Sequence, residues 1–278
     1  MASSAPSTAL EHFDQNAASY EASTGGCTKE LAQHVLGLWP EIDADSVILD
    51  NACGTGIVAA EIIQRLASRG IKPTLHLVDG APNMVDITRS RLGRFENVQC
   101  AVMPGEKLDF PDETFSHSVT NLGILFFADG DQGAREIFRT LKPGGTAIVT
   151  SWRNLGYLQL IQESQQAVRP QEPVVKLPIS EAWFQLSHLE QTLRKGGFEQ
   201  VEISTPTVHY ASDNVEGICA LLLSSFRRLI QEWSGEEQEK FKGTLQALVG
   251  SAVEEFKKAD GSTAVGIPMI ATAAVCKK

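Results

Sequence analysis

The sequence predicts an α/β fold: a doubly wound, mainly parallel sheet of seven strands, led in by two helices and followed by a helical region. Three observations carry this. Over residues 46–152 short apolar runs alternate with helical patterns, the rhythm of parallel strands buried on both faces and joined by right-handed crossovers. The first of these runs ends in a glycine-rich turn, NACGTG at 51–56, that opens a helix. Composition is that of a folded chain, 42% hydrophobic and 21% charged, which rules out disorder and collagen-like repeats.

The elements follow in order. The first ten residues are small and polar and are expected to fray. Leu10, Phe13, Ala17 and Tyr20 stand three or four apart and predict a helix over 10–20; Leu31, Val35, Leu38 and Trp39 predict a second over 29–39, stopped by Pro40. SVILD at 46–50 is a strand, and IVAAEIIQRLASRG is a helix closed by Gly70. TLHLVD at 74–79 repeats the pattern, with a turn at GAPN and a helix through MVDITRSRLGRF. Strands are expected at 98–102 and 115–121, and GAREIFRTLKPGG is a helix running into the strand TAIVTSW. Beyond Trp152 the rhythm changes. Helices are expected over 158–167 and 182–195, a strand over 199–205, helices over 215–233 and 236–258, and a closing strand over 267–276, with QAVRPQEPVVKLP a loop. The chain thus divides into N-terminal helices (1–40), a strand–helix core (41–156), and helical insertions with closing strands of the same domain (157–278).

Charge and cysteine usage narrow the function classes. The 24 Lys and Arg against 34 Asp and Glu leave a formal net charge of −10, which repels phosphate backbones and anionic lipids, so no nucleic-acid or membrane partner is expected. The five cysteines are spread out with no C-x-x-C pair, against a disulfide framework or a thiolate metal site, and no metal is expected. MASSAPSTALEHFDQ has no apolar core of a signal peptide. A cytoplasmic protein is expected.

The turn at 50–56 carries the chemistry. Backbone amides and the positive end of a helix converge there, and Gly54 and Gly56 let a ligand approach the backbone. GTGIVA fits G-x-G-x-x-A and would serve a dinucleotide, or the turn only connects strand to helix. Asp50 shifts the reading, because its carboxylate repels a pyrophosphate and attracts a cationic ligand. Asp79, at the end of the second strand, suits ribose hydroxyls in either cofactor class, or caps the next helix. Asn121, with Leu122 and Gly123, ends the fourth strand, where doubly wound sheets bind ligands; an Asn there also forms turns.

LDNACGTGIVA, LVDGAPNMV, GEKLDFPDETFS and LKPGG together resemble the successive motifs of class I S-adenosylmethionine-dependent methyltransferases, which have a Rossmann-like fold. FDQNAASY resembles the N-terminal helix of the ubiquinone-type branch, and the stretch to TSWRNL with LEQTLRKGGFEQVEI is similar to fungal secondary-metabolite methyltransferases, including gliotoxin-type dithiol methyltransferases. The resemblance implies S-adenosyl-L-methionine as cofactor, residues 1–40 as a lid, 41–156 as the cofactor-binding core and 157–196 with 212–258 as a cap gating the acceptor. It puts Asp50, Gly54 and Gly56 against the methionine part, Asp79 with Gly80 at the ribose, Met84 on the adenine and Tyr20 over the cofactor, with Asn121 beside the methyl. Two positions depart from the family pattern. Ala52 replaces its first glycine, acceptable if φ stays negative. Pro104, beside Met103, replaces the acid that reads adenine, leaving Met packing and backbone groups near Gly105 and Glu106 to hold the base.

Methyl transfer from a sulfonium needs positioning in a dry site more than a dedicated base; a thiol ionises easily, a phenol or alcohol less so. Of the six histidines, His34 on a helix and His76 and His117 in strands are expected to be structural, whereas His12 and His188 face the acceptor region. Cys53 is expected to pack within the turn. Phe13, Phe126, Phe127, Trp152, Tyr157, Trp183 and Phe184 are expected to wall an apolar acceptor pocket. The expected activity is methyl transfer to a small, fairly apolar molecule, a secondary-metabolite thiol ahead of a hydroxyl or amine. The competing readings are a cofactor-binding fold without transfer and an NAD-dependent oxidoreductase, the latter lacking a Tyr-x-x-x-Lys relay.

Overall fold

The structure, a computed structural model, describes residues 8–278; the expected fraying of the first seven lies outside it. Helix α1 (Ala9–Ser23) starts at a capping box in which the Thr8 hydroxyl accepts from Glu11 N and Glu11 accepts from Thr8 N. Helix α2 (Cys27–Leu36) follows two left-handed glycines, Gly25 and Gly26. The core then runs β1 (Val47–Asn51), α3 (Ile57–Ala67), β2 (Thr74–Asp79), α4 (Pro82–Leu92), β3 (Val98–Val102), β4 (Phe115–Thr120), α5 (Gly130–Thr140) and β5 (Leu141–Asn154). After it come α6 (Gly156–Val168), α7 (Leu186–Gly196), β6 (Gln200–Ser204), β7 (Thr207–Ser212), α8 (Val215–Ser225), the single turn α9 (Arg227–Ile230), α10 (Gly235–Ala252), β8 (Glu254–Lys257) and β9 (Thr263–Lys277).

The sheet order is β3-β2-β1-β4-β5-β9-β6. Strands β1 to β5 pair in parallel and β9 runs antiparallel between β5 and β6. This seven-strand path is the expected doubly wound sheet. Its central strands are buried on both faces, with Ile48, Leu49, Leu75, Leu77, Ala147 and Ile148 fully enclosed by flanking helices. Strand order reverses between β1 and β4, so a crevice opens where their carboxyl ends diverge.

Three expectations after Trp152 are corrected. The sheet gains two short strands, β7 and β8, both paired to the N-terminal half of β9. The helix expected over 236–258 stops at Ala252, since Val253 turns extended and EEFK pairs with β9 instead. The helix expected over 215–233 breaks at Phe226. Helix α7 buries Leu189 and Leu193 and packs on α5, so this part of the expected cap flanks the sheet. Helices α6 and α8 both pack on α10.

Candidate active site

The crevice between β1 and β4 holds a cavity of about 350 Å³. Its floor is the turn after β1. Ala52 (φ 60°), Gly54 (φ 54°) and Gly56 (φ 81°) all take the left-handed conformation there. The expected negative φ at Ala52 is therefore corrected: the turn demands the glycine-like backbone, and the alanine adopts it with its Cβ facing Gly123. The two glycines differ. A Cβ on Gly54 would meet only Tyr20 Cε1, at 3.9 Å, leaving its face open to the cavity. One on Gly56 would press on Leu92 at 3.0 Å and Thr88 at 3.1 Å, so Gly56 leaves room for these α4 side chains and does not line the cavity.

Asp79 fastens this floor. Its Oδ2 accepts from Gly54 N at 2.9 Å and its Oδ1 from Ala81 N at 2.8 Å, while Thr88 Oγ1 donates to Gly54 O at 2.7 Å. Burial pushes the Asp79 carboxyl up, and the two N–H donors pull against it. Asp50 lies beneath the turn, 1% exposed and outside the cavity lining, with neither carboxylate oxygen hydrogen-bonded. Burial first, and the charge of Asp79 after it, hold its carboxyl at about 7. Asn51 Oδ1 is also buried without a partner.

Helix α1 roofs the cavity. Leu10, Phe13 and Tyr20 face it from one side of the helix, and Met84, on α4, from below. Phe13 packs edge-on against Phe126 at 4.7 Å and Tyr20 at 5.8 Å. The third wall comes from the segment after β3, with Pro104, Gly105 and Glu106. Gly105 lets Phe127 and Asn51 close in, since a Cβ there would stand 2.1 Å from Phe127 Cζ. Glu106 Oε1 accepts from Ala128 N at 2.6 Å. Asn121 completes the lining, yet both ends of its amide are engaged: Thr150 Oγ1 donates to Oδ1 at 2.9 Å and Nδ2 donates to Thr28 O at 3.2 Å. The same Thr150 hydroxyl accepts from Leu122 N at 2.8 Å and so pins Leu122 at φ 58°.

The cavity thus gathers Tyr20, Ala52, Gly54, Asp79, Gly80, Met84, Pro104, Glu106 and Asn121 with Phe13, Phe126 and Phe127. It does not gather Met103, whose sulfur accepts from Asp109 N at 3.2 Å, nor His12, which is exposed and leans edge-on against Phe13. Trp152 is buried in β5, and Tyr157 packs on Tyr210 at 5.0 Å and Phe226 at 6.1 Å. His188 packs on Trp183 at 4.5 Å. No residue of 157–258 lines the cavity. Sequence reasoning missed Thr8, Ala9, Leu10 and Ala128 as lining residues. Leu10 was within reach, being three residues before Phe13 on the face that predicted the helix.

Among the described residues no Lys, Arg or His lines the cavity, and two carboxylates do. A pyrophosphate would meet two carboxylates and no counter-charged side chain there. An adenosyl ligand with cationic sulfur and ammonium groups fits the open Gly54 backbone, the Asp79 and Glu106 carboxylates and the aromatic roof.

Comparisons with known proteins point the same way. The model of the ubiE/COQ5 methyltransferase family matches residues 38–169. Methyltransferase tpcH of Aspergillus fumigatus is 24% identical over 81% of this chain and 83% of its own length. These likenesses support an S-adenosylmethionine-dependent methyltransferase. Among solved structures, phosphoethanolamine N-methyltransferase 2 of Haemonchus contortus shares the fold of this chain at TM-score 0.55 and 18% identity, over 98% of this chain and 60% of that one. The [4+2]-cyclase SpnF shares it at TM-score 0.58 and 16% identity, over 98% and 97% of the two chains.

Proposed function

We propose that this methyltransferase transfers the methyl group of S-adenosylmethionine to a small, fairly apolar organic acceptor, a secondary-metabolite thiol ahead of a hydroxyl or an amine, in the cytoplasm and without a nucleic-acid partner. One observation carries the reading: a cavity of about 350 Å³ at the point where strand order reverses, walled by carboxylates and aromatic rings and by no cationic side chain. When bound, the cofactor supplies an electrophilic methyl on a positively charged sulfur. The chain's part is to hold and to exclude water. Asp79 takes the ribose hydroxyls while keeping the turn in place, the Gly54 backbone receives the methionine part, and Met84 and the 104–106 segment enclose the adenine. Tyr20, Phe13 and Phe126 close over the reacting groups. Burial raises the Tyr20 hydroxyl above its ordinary range, which keeps it protonated as a donor and unfit as a base. Catalysis then rests on proximity and a dry site, conditions in which a thiol reacts with the least help.

Calorimetric titration with S-adenosylmethionine, S-adenosylhomocysteine and NAD tests the cofactor, and mass spectrometry of a thiol, phenol and amine panel tests the acceptor. Binding of the adenosyl ligands alone, followed by a mass gain of one methylene on a thiol, is the expected result. Asp79→Ala strands two buried N–H donors as well as the ribose and is expected to weaken adenosyl binding about 10- to 100-fold. Unchanged affinity in a folded variant would remove Asp79 from the site. A second reading, a fold that binds the cofactor and runs other chemistry, draws on the cyclase sharing this architecture. It predicts adenosyl binding with no methylated product from any class in the panel.

A further inference from the structure

We propose that Thr150, buried in β5 behind the cavity wall, is a positioning residue for cofactor binding: its one hydroxyl fixes the wall segment 121–123 in the shape that receives the adenosyl ligand. The inference rests on the proposed function and deepens it.

The first support is strained backbone. The segment after β4 turns at Leu122, which takes φ 58° although it is neither glycine nor one of the short polar residues that tolerate this region. Such a conformation persists only where its surroundings impose it, and residues held in this way gather at ligand sites. Leu122 is buried and, with Asn121 and Gly123, lines the cavity. Two neighbours hold the segment. From behind, Thr150 Oγ1 accepts from Leu122 N at 2.8 Å. From the side of the floor turn, Ala52 comes so close that a Cβ on Gly123 would stand 2.5 Å from the Ala52 Cβ. Relaxing Leu122 to negative φ would redirect Gly123 and open this contact between wall and floor.

The second support is the arrangement of protons, which admits one solution. Thr28 O can only accept, so Asn121 turns Nδ2 to it at 3.2 Å and presents Oδ1 to Thr150 at 2.9 Å. Leu122 N can only donate. The Thr150 hydroxyl therefore gives its proton to Asn121 and receives that of Leu122, and a residue without a hydroxyl at 150 leaves both groups without this partner. Thr28 stands in the first turn of α2, directly after the left-handed Gly25 and Gly26 that join α2 to the roof helix α1. One hydroxyl thus ties the wall of the cavity to the helix from which its roof hangs. The strand itself does not depend on that hydroxyl. Val149 pairs with Thr120 on β4 and Thr150 with Ala273 on β9, a ladder that suits a β-branched replacement.

The test titrates S-adenosylhomocysteine calorimetrically into the full chain as wild type, Thr150→Val, Thr150→Ala, Thr150→Ser and Ser151→Ala, each with a thermal melt. Thr150→Val and Thr150→Ala, which lack the hydroxyl, are expected to bind about tenfold or more weakly, and Thr150→Ser, which keeps it, within about twofold of wild type. Ser151 is the control, since it is equally buried in β5, faces the other side of the sheet and donates to Trp183 O at 3.0 Å. Its alanine variant is expected to melt at a lower temperature with affinity unchanged. Affinity within about twofold of wild type in a folded Thr150→Val or Thr150→Ala overturns the proposal. So does a Thr150→Ser as weak as these, or an equal loss in Ser151→Ala, which marks a general weakening of the sheet. Wild type that binds no S-adenosylhomocysteine instead overturns the proposed function, and this inference with it.

Discussion

Asp50 carries a carboxylate into the interior with no hydrogen-bond partner, and its carboxyl stands at about 7. In the unfolded chain an Asp ionises near pH 3.9, so between about pH 4 and 7 the folded state binds more protons. Stability from this group therefore falls as pH rises through that window, by at most about 1.4 kcal/mol per unit, and levels off above it. Asp79, also raised by burial, acts in the same direction. Chemical denaturation of ligand-free protein at pH 4.5 and 7 is expected to show a smaller loss for Asp50→Asn than for wild type; parallel losses would show that Asp50 does not titrate in this range. Ala52 makes a different residue-scale prediction. A left-handed alanine costs about 1–2 kcal/mol, partly offset by the entropy a glycine would lose on folding. Ala52→Gly is expected to stabilise by about 1 kcal/mol and raise Tm by about 2 °C in scanning calorimetry.

At the scale of elements, the decisive contact is α1 on α4. Ala17, Ala81 and Met84 form a small buried cluster with Phe13, Tyr20 and Ile87 around it. Helix α4 has no side-chain cap of its own at Ala81, and Asp14 of α1 supplies one by accepting from Asn83 N at 2.7 Å. Arg91 adds a link, donating to Glu21 at 2.7 Å and to Thr55 O at 3.1 Å, although both side chains are too exposed for the ion pair to weigh much. Asp14→Ala is expected to cost about 1 kcal/mol of docking, read as roughly fivefold faster hydrogen exchange across residues 9–23 with exchange in β1 and β4 unchanged. The helix was legible from four spaced apolar residues. Its seat was not, because Asp14 and Asn83 are unremarkable polar residues 69 apart in sequence.

For the whole molecule, the C-terminal strand joins two pieces of architecture. One half of β9 completes the main sheet between β5 and β6, and the other pairs with β7 and β8. His209 on β7 locks this extension to α2: Nδ1 meets Glu30 at 3.0 Å, Nε2 meets Glu254 at 3.0 Å, and the ring stacks on Phe256 at 3.8 Å. Both contacts are hydrogen bonds when both ring nitrogens donate. With Glu30 and Glu254 partly exposed, His209→Ala is expected to cost about 1–2 kcal/mol, measured by denaturant titration. A loss below a few tenths would mean the clamp contributes nothing net.

The sequence by itself determined the doubly wound sheet, the glycine turn and the carboxylates at 50 and 79, because each depends on local patterning: apolar periodicity, a turn that requires left-handed backbone, and charge at a strand end; the class of cofactor followed from the resemblance of its motifs. Only the tertiary structure decided which of those residues face the cavity. Gly54 and Gly56 are two apart and look equivalent, yet α4 fills the space beside one and the cavity lies beside the other. Asn121 sits where a ligand-facing residue belongs, and Thr28 and Thr150 occupy its amide from 93 and 29 residues away. EEFK continues a helical pattern and becomes a strand because β9 offers an unpaired edge. In each case the outcome turns on partners distant in sequence, whose hydrogen bonds and packing override what the neighbouring residues prefer.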